Sequence, residues 1–341
     1  MSSKKPNKAQ LFVKHNQIGM ALFISLFLFM FTVVLNPKSL NANAFGSIFS
    51  LMTMLTIAAA GQTLVITSDG IDMSVGATMS MTAILAVGIM QTKASPALFL
   101  AALVVSVAVG ALIGACNGLG SVKAGLPPMV VTLYISNVVT RLQYVITGGT
   151  PKYTSVPDWY KGLITTRLFG FFPVIVFVGV AVFFLVFFLM NRTRYGQQLY
   201  FTGNNNRAAY LTGIKTVKVK VLNYVIAGAL AGMAGFIGAA NTGYIKCGTF
   251  DSMTMDSIVA VVIGGTLLSG GVGTVLGTLF GVAIQGLIQT YINFDGTLSS
   301  WWTKIAIGIL LFIFIALQRG LTVLWENRQS SPVTRVNIAQ R

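Results

Sequence analysis

Charge is what this sequence has least of. Asp, Glu, Lys and Arg make up 9% of its 341 residues, and the acids number seven against 23 Lys and Arg. With 55% hydrophobic residues and a mean hydropathy of +0.78, the chain has too little polar surface to fold as a water-soluble globule. Cysteine is nearly absent: Cys116 falls inside an apolar stretch and Cys247 in a loop at the opposite end from the termini, which argues against a disulfide. The one histidine, His15, stands in a basic tail, and no His/Cys/carboxylate cluster offers a metal site or a catalytic dyad. No G-x-x-x-x-G-K-[ST] loop occurs; Gly148-Gly149-Thr150-Pro151-Lys152 lacks its spacing, so ATP chemistry is not expected on this chain. Apart from Asp69 and Asp72, no carboxylate falls within the apolar spans or the break that these two occupy, which leans away from ion-coupled transport.

What the chain has in abundance is long apolar runs. A hydrocarbon core of about 30 Å takes about 20 helical residues. The ranges 17–36, 44–66, 96–118, 172–190 and 221–240 meet that demand without a formal charge. The pattern predicts an all-α polytopic membrane protein of about ten transmembrane helices, at 17–36, 44–66, 74–92, 96–120, 129–148, 172–190, 221–242, 257–269, 273–293 and 303–318. The first reads as an anchor and not a cleaved signal, because its apolar run is too long and no small-x-small site follows cleanly. The net charge of +16 would suggest nucleic acid in a soluble protein. In a membrane protein the positive-inside rule accounts for it. Tails, the Lys123 turn and the 191–220 segment carry 15 Lys/Arg, the opposite loops seven, and Arg141 falls in a span. Both termini are therefore expected in the cytoplasm: a basic tail at 1–16, a transmembrane domain at 17–318 and a second tail at 319–341. Trp159, Tyr160, Trp301 and Trp302, beside span ends, read as an interfacial aromatic belt, with sugar stacking as the alternative.

Glycine is patterned. Gly110, Gly114 and Gly118 recur every four residues on the fourth span, and Gly273, Gly277 and Gly281 do so on the ninth. Such stripes let helix backbones approach closely. Two segments interrupt the helical pattern: 67–76 (TSDGIDMSVG) and 264–273 (GGTLLSGGVG), each after Val-Ile and each ending on Val-Gly, 197 residues apart. Gly-interrupted segments in matching halves point to an internal repeat around a transport path. Free backbone groups there are tolerated only against protein or a water-filled cavity. Asp72 is expected to cap the third span. Polar residues within the apolar spans and breaks nominate a pathway of Thr67, Ser68, Asp69, Asp72, Asn117, Ser136, Asn137 and Thr266, with interhelical hydrogen bonding as the alternative for each.

The 191–220 segment carries Arg192, Arg194, Arg207, Lys215, Lys218 and Lys220 and no acid. Within it 206–213 reads as a short helix ended by Gly213. So short a polar helix needs support, so it is read as a docking surface, with a loop touching anionic lipid as the alternative.

Four blocks, in order, resemble the permease subunits of bacterial ABC importers for monosaccharides of the ribose, xylose, galactose and galactofuranose type. They are Ser68–Gly76, Thr193–Gly196 with Gly203-Asn204 and 208–214, Asp256–Thr266, and Ser269–Thr274. The resemblance runs from about residue 44 to 318, and Gly286–Asn293 is nearest to a galactofuranose permease. It implies a bacterial inner-membrane protein that is no enzyme and binds no cofactor itself. A separate ABC ATPase would hydrolyse ATP and receive Asn204, Arg207, Ala208, Ala209 and Gly213 in a cleft. A periplasmic sugar-binding protein would dock outside, and a second permease subunit would complete one pathway. No nucleic acid is implied. Two departures stand out: Asp69 replaces a glycine of the family signature, and Tyr134 and Arg141 depart from its Thr-Leu-Gly…Arg-Gly pattern. The alternatives are an ion-coupled secondary transporter, with Asp69 and Asp72 as the coupling site, or a structural half of a heteromeric transporter.

Overall fold

The computed structural model describes residues 21–23, 25–30, 42–91, 95–149, 154–168, 172–295, 301–313 and 316. The tails at 1–16 and 319–341 lie outside them. Among the described residues six helices are long and apolar enough to cross a membrane, judged by length and composition: α2 (Ala42–Thr67), α4 (Pro96–Val122), α5 (Pro128–Ile146), α7 (Val174–Arg192), α10 (Thr216–Thr242) and α12 (Val275–Asp295). Four shorter apolar helices stand among them: α1 (Ala21–Met30), α3 (Val75–Met90), α11 (Ser252–Ile263) and α13 (Trp301–Ile313). Three further helices are α6 (Asp158–Thr165), α8 (Arg194–Asn204) and α9 (Asn206–Leu211). The all-α expectation needs one amendment. Four two-residue strands pair antiparallel, β1 (Thr154–Ser155) with β4 (Tyr244–Ile245) and β2 (Arg167–Leu168) with β3 (Phe172–Pro173).

α10 and α2 form the centre of the bundle. Their most apolar windows are 67% and 78% buried, against 22% for α4 and α5. α10 can sit there because one face is nearly all backbone. A Cβ added at Gly110 would lie 3.0 Å from the Gly232 Cα, one at Gly114 2.8 Å from the Tyr224 carbonyl carbon, and one at Gly118 2.9 Å from the Val221 Cα. α4 and α10 therefore cross with their backbones in contact, as small residues allow where no hydrophobic force drives helices together. The second stripe is split. Gly277 and Gly281 lie on α12 against Gly264, which follows α11, and Ala260 of α11, whereas Gly273 precedes α12 and belongs to the break.

Tyr160 is no member of an interfacial belt. α6 turns it inward, where it is fully buried, with ring centroids 6.1 Å from Phe99 and 5.3 Å from Phe236, and its hydroxyl donates to the Phe236 carbonyl. An aromatic with one polar tip can be buried when that tip finds an acceptor. Trp301 and Trp302 are exposed and Trp159 is half-buried. The cysteines are unpaired, Cys116 exposed and Cys247 buried.

α3 and α11, at 16 and 12 residues, rise only about 24 and 18 Å, less than a bilayer core. Their N-termini meet inside the bundle. The Gly76 N–H donates to Thr254 Oγ1 at 2.8 Å, and the Phe250 N–H to Ser80 Oγ at 2.9 Å. From this junction α3 runs to the end of the bundle where Gln91 Nε2 donates to the Ser155 carbonyl. α11 runs to the opposite end, where the second break lies against α8.

Candidate functional site

The first break, residues 68–74, begins where α2 exhausts its hydrogen bonds. The amides of Ser68, Asp69 and Gly70 return to the carbonyls of residues 64–66, and the Thr67 carbonyl accepts from the Gly271 N–H at 2.9 Å. The last turn of one helix is thus closed by the second break, and the first turn of α3 by Thr254 of α11. These are the orphan groups that every helix end must satisfy. The second break, 264–274, turns on Gly265, Gly270 and Gly271, at φ +91°, +77° and +75°. Side-chain-bearing residues rarely adopt that region.

Asp72 lies at the centre of the first break and is 1% exposed. Its Oδ1 accepts from the Ser74 N–H at 2.8 Å, the Ser74 hydroxyl at 2.7 Å and Asn117 Nδ2 at 3.3 Å. The Gln62 amide reaches the Asp72 carbonyl at 3.3 Å. Asp72 does not cap α3 as expected. It accepts from Ser74, the residue before the helix, and so shapes the approach to α3, while Thr254 takes an amide of the first turn. Asn117 also donates to Ser74 Oγ at 2.7 Å, which ties α4 to the break.

Asp69 lies elsewhere. Its carboxylate is 57% exposed, pairs with Lys220 Nζ at 3.4 Å, and its backbone has φ +63°. Among the described residues it is the one non-glycine in the left-handed region, which is the physical reason a glycine suits that place in the signature. The remaining candidates divide in two. Thr67, Ser68 and Thr266 are buried at the breaks; the Ser68 hydroxyl bonds the Val65 carbonyl at 2.9 Å, and the hydroxyls of Thr67 and Thr266 have no partner. Ser136 is half-buried and Asn137 exposed on α5, the latter bonding its own helix through the Leu133 carbonyl at 2.9 Å. Arg141 and Tyr134 are exposed on the same helix.

Four residues of this region were not singled out from the sequence. Thr132 accepts from the Met73 N–H at 3.0 Å and fixes α5 to the break. Gln143 donates to the Ala77 carbonyl and accepts from the Gly248 N–H, each at 3.0 Å. Gln62 and Thr254 complete the set. Gln62 and Gln143 are amides in apolar runs, the same signal that nominated Asn117, and would have been found by applying it evenly.

At the α8 end, α9 forms as expected over Asn206–Leu211, with Asn205 Oδ1 accepting from the Ala208 N–H at 2.9 Å and Gly213 turning at φ +88°. The segment holds more helix than expected: α8 occupies 194–204, and α10 begins at Thr216 and not at 221. Asn204, Arg207, Ala208 and Gly213 are exposed. Ala209 points inward, 5% exposed, while Tyr210 and Leu211 present 68% and 77% of their surface. Beside α9 opens a cleft of about 310 Å³ lined by Tyr195, Gln198, Lys215, Lys218 and Leu222.

The sequence family described as branched-chain amino acid transport system / permease component matches residues 44–315. The chain belongs to this permease family. Members of the family are transport subunits and not enzymes. The permease is 46% identical to the inner membrane ABC transporter permease protein YjfF of Escherichia coli K12, over 95% of this chain and 97% of that protein. It is 33% identical to the ribose import permease protein RbsC of Bacillus subtilis, over 87% and 91% of the two chains. It is 30% identical to the fructose import permease protein FrcC of Rhizobium meliloti, over 92% and 88%. The family description thus names amino acids, whereas RbsC and FrcC are named for the import of ribose and fructose. No solved structure matches.

Proposed function

We propose that this permease is the membrane-spanning subunit of an ATP-binding-cassette importer that carries a monosaccharide across the bacterial inner membrane. The observation that carries the reading is α9. It is a six-residue helix, held at its N-terminus by Asn205, which presents Tyr210 and Leu211 to solvent beside a lysine-lined cleft. An apolar tip so exposed calls for a partner, and a separate ABC ATPase that binds and hydrolyses ATP is the partner that fits an importer. The docking residues then include Tyr210 and Leu211 with Asn204, Arg207, Ala208 and Gly213, while Ala209 anchors α9 from within.

The excess of Lys and Arg in the 191–220 segment and the tails supports a cytoplasmic location for the α8 end and both termini, in a bundle of ten membrane helices of which α3 and α11 cross only in part. The β1–β4 end then faces the periplasm, where a sugar-binding protein delivers substrate. α5 supports a second permease subunit, identical or not: an exposed Arg141 and Asn137 are costly against lipid and favourable against a protein or a water-filled path. Pentoses and hexoses are the substrate class, on the ribose and fructose importers among the relatives. Galactofuranose is the specific candidate, on the resemblance of Gly286–Asn293.

Co-purification tests this reading. The permease is expressed together with its neighbouring genes, as wild type and as Tyr210→Glu and Leu211→Asp. The ATPase is expected to remain with the wild type and to be lost from both variants, with the elution profile of the permease unchanged. No ATPase on the wild type defeats the proposal.

A further inference from the structure

A push on α9 moves no substrate unless it reaches the broken segments, and α8 is the element between them. One residue, Asn205, separates α8 from α9. The C-terminal half of α8 is fastened to both breaks. The Tyr200 hydroxyl donates to the Gly273 carbonyl at 2.7 Å. Gly203 is buried without room for a side chain: a Cβ there would lie 2.7 Å from the Gly271 nitrogen and 3.0 Å from the Thr67 carbonyl carbon. A Cβ on Gly271 would lie 2.7 Å from Cγ of Asn204. Under this face the Gly271 N–H donates to the Thr67 carbonyl, joining the second break to the first. Gly270, whose Cβ would fall 2.9 Å from the Asp69 Cβ, packs on the residue that pairs with Lys220 of α10.

A contact built for stability alone satisfies its buried polar groups. This one does not. Thr67 and Thr266, both 0% exposed, and Thr202, which precedes Gly203, carry hydroxyls with no hydrogen-bond partner. The first two converge on one glycine: a Cβ on Gly273 would meet Thr67 Oγ1 at 2.7 Å and Thr266 Oγ1 at 2.8 Å. Unpaired hydroxyls on both sides of a joint without side-chain bulk are what a second hydrogen-bonding arrangement would use.

We propose that the Tyr200–Gly203–Asn204 face of α8 is a coupling joint. Displacement of α9 slides this face over Thr67 and Gly271, shifts the two breaks together, and gives the Thr67 and Thr266 hydroxyls the partners they lack. The inference rests on the reading of the chain as an ABC permease and deepens it. Tyr200, Gly203 and Asn204 are positioning residues and touch neither sugar nor nucleotide. The tight contact leaves α8 no play, so a movement of α9 is passed on and not absorbed. A side chain at 203 would lift α8 off the joint while leaving Tyr210 and Leu211 exposed.

The test uses the whole complex in liposomes: permease, ATPase and sugar-binding protein, with Tyr200→Phe and Gly203→Ala beside wild type. Four quantities are read: retained ATPase, basal ATP hydrolysis, hydrolysis with sugar-loaded binding protein, and uptake of labelled sugar. The joint predicts that the ATPase and basal hydrolysis stay at wild-type level. Stimulation by the binding protein should vanish and uptake fall by about tenfold, within the usual range of coupling between sites. Gly88→Ala and Gly162→Ala, where nothing lies within 4 Å of the added Cβ, should leave all four unchanged. Wild-type stimulation and uptake in both variants overturn the joint. So does a proportional fall of all four quantities, which marks a merely structural contact. If Gly203→Ala does not accumulate in the membrane, Tyr200→Phe decides, since it removes one oxygen and adds no volume. A wild-type permease that retains no ATPase defeats the proposed function itself and is seen before any variant is compared.

Discussion

Replacing Gly114 by alanine adds one methyl group where α4 crosses α10. The new Cβ would stand 2.8 Å from the Tyr224 carbonyl carbon and 3.1 Å from the Val225 Cα, and both neighbours are backbone that cannot rotate away. The Tyr224 carbonyl oxygen lies closer still, so restoring an ordinary contact of 3.4 Å requires the helices to part by more than the roughly 0.6 Å that the carbonyl carbon alone would need. Overpacking of this kind costs about 1–3 kcal/mol. Alanine also returns about 1 kcal/mol of helix propensity relative to glycine, which would mask part of that cost. Gly88→Ala supplies the correction: Gly88 is also helical, on α3, but nothing lies within 4 Å of its added Cβ. The difference between the two variants isolates the packing cost. At about 2 °C per kcal/mol for a chain of this size, Gly114→Ala should melt about 2–6 °C below Gly88→Ala. The assay is loss of the monodisperse peak on size exclusion after heating in detergent. Equal midpoints would refute the close backbone crossing of α4 and α10, and with it α10 as the centre of the bundle.

Asp72→Leu should fold poorly or melt well below wild type, since it strands the Ser74 amide and the Asn117 side chain at about 1–3 kcal/mol per buried group. Asp72→Asn keeps an acceptor at Oδ1 and should retain most of the stability in the same heating assay. Asp69→Gly relieves a left-handed backbone and loses one exposed ion pair worth about 0–1 kcal/mol, so its midpoint should stay within about 3 °C of wild type. Asp69→Val, β-branched at φ +63°, should melt lower than Asp69→Gly. Tyr160→Phe removes the hydrogen bond to the Phe236 carbonyl and should cost about 1 kcal/mol, read as a small fall in the same midpoint.

Much of this architecture is legible in the sequence because it is written locally. Apolar run length marks the long helices, the Gly110–Gly118 spacing marks the face that α4 turns to α10, and Asn205 and Gly213 bracket α9. What escaped depends on residues far apart in the chain. That Gly76 is capped by Thr254, 178 positions away, and Thr67 by Gly271 follows from two breaks coming together, and no local spacing encodes it. The same holds for orientation on α9. Ala209 and Tyr210 are neighbours in an equally plausible docking stretch, and only the tertiary packing of α9 decides that alanine turns inward and tyrosine outward. Asp69 and Asp72 look alike on paper as two acids in one signature. Their environments divide them, one exposed and paired with Lys220, the other sealed among Ser74 and Asn117. Tyr160 misled for the opposite reason: aromatics near a span end usually mark the interface, and here Phe99 and Phe236 provide a buried site for the ring.

The most direct measurement is uptake of labelled monosaccharide into proteoliposomes holding this permease with its ATPase and binding protein. The account predicts uptake that requires ATP and both partners and continues when proton and sodium gradients are collapsed. Accumulation by the permease alone on an ion gradient, abolished by changing Asp72, would contradict it and establish an ion-coupled carrier instead.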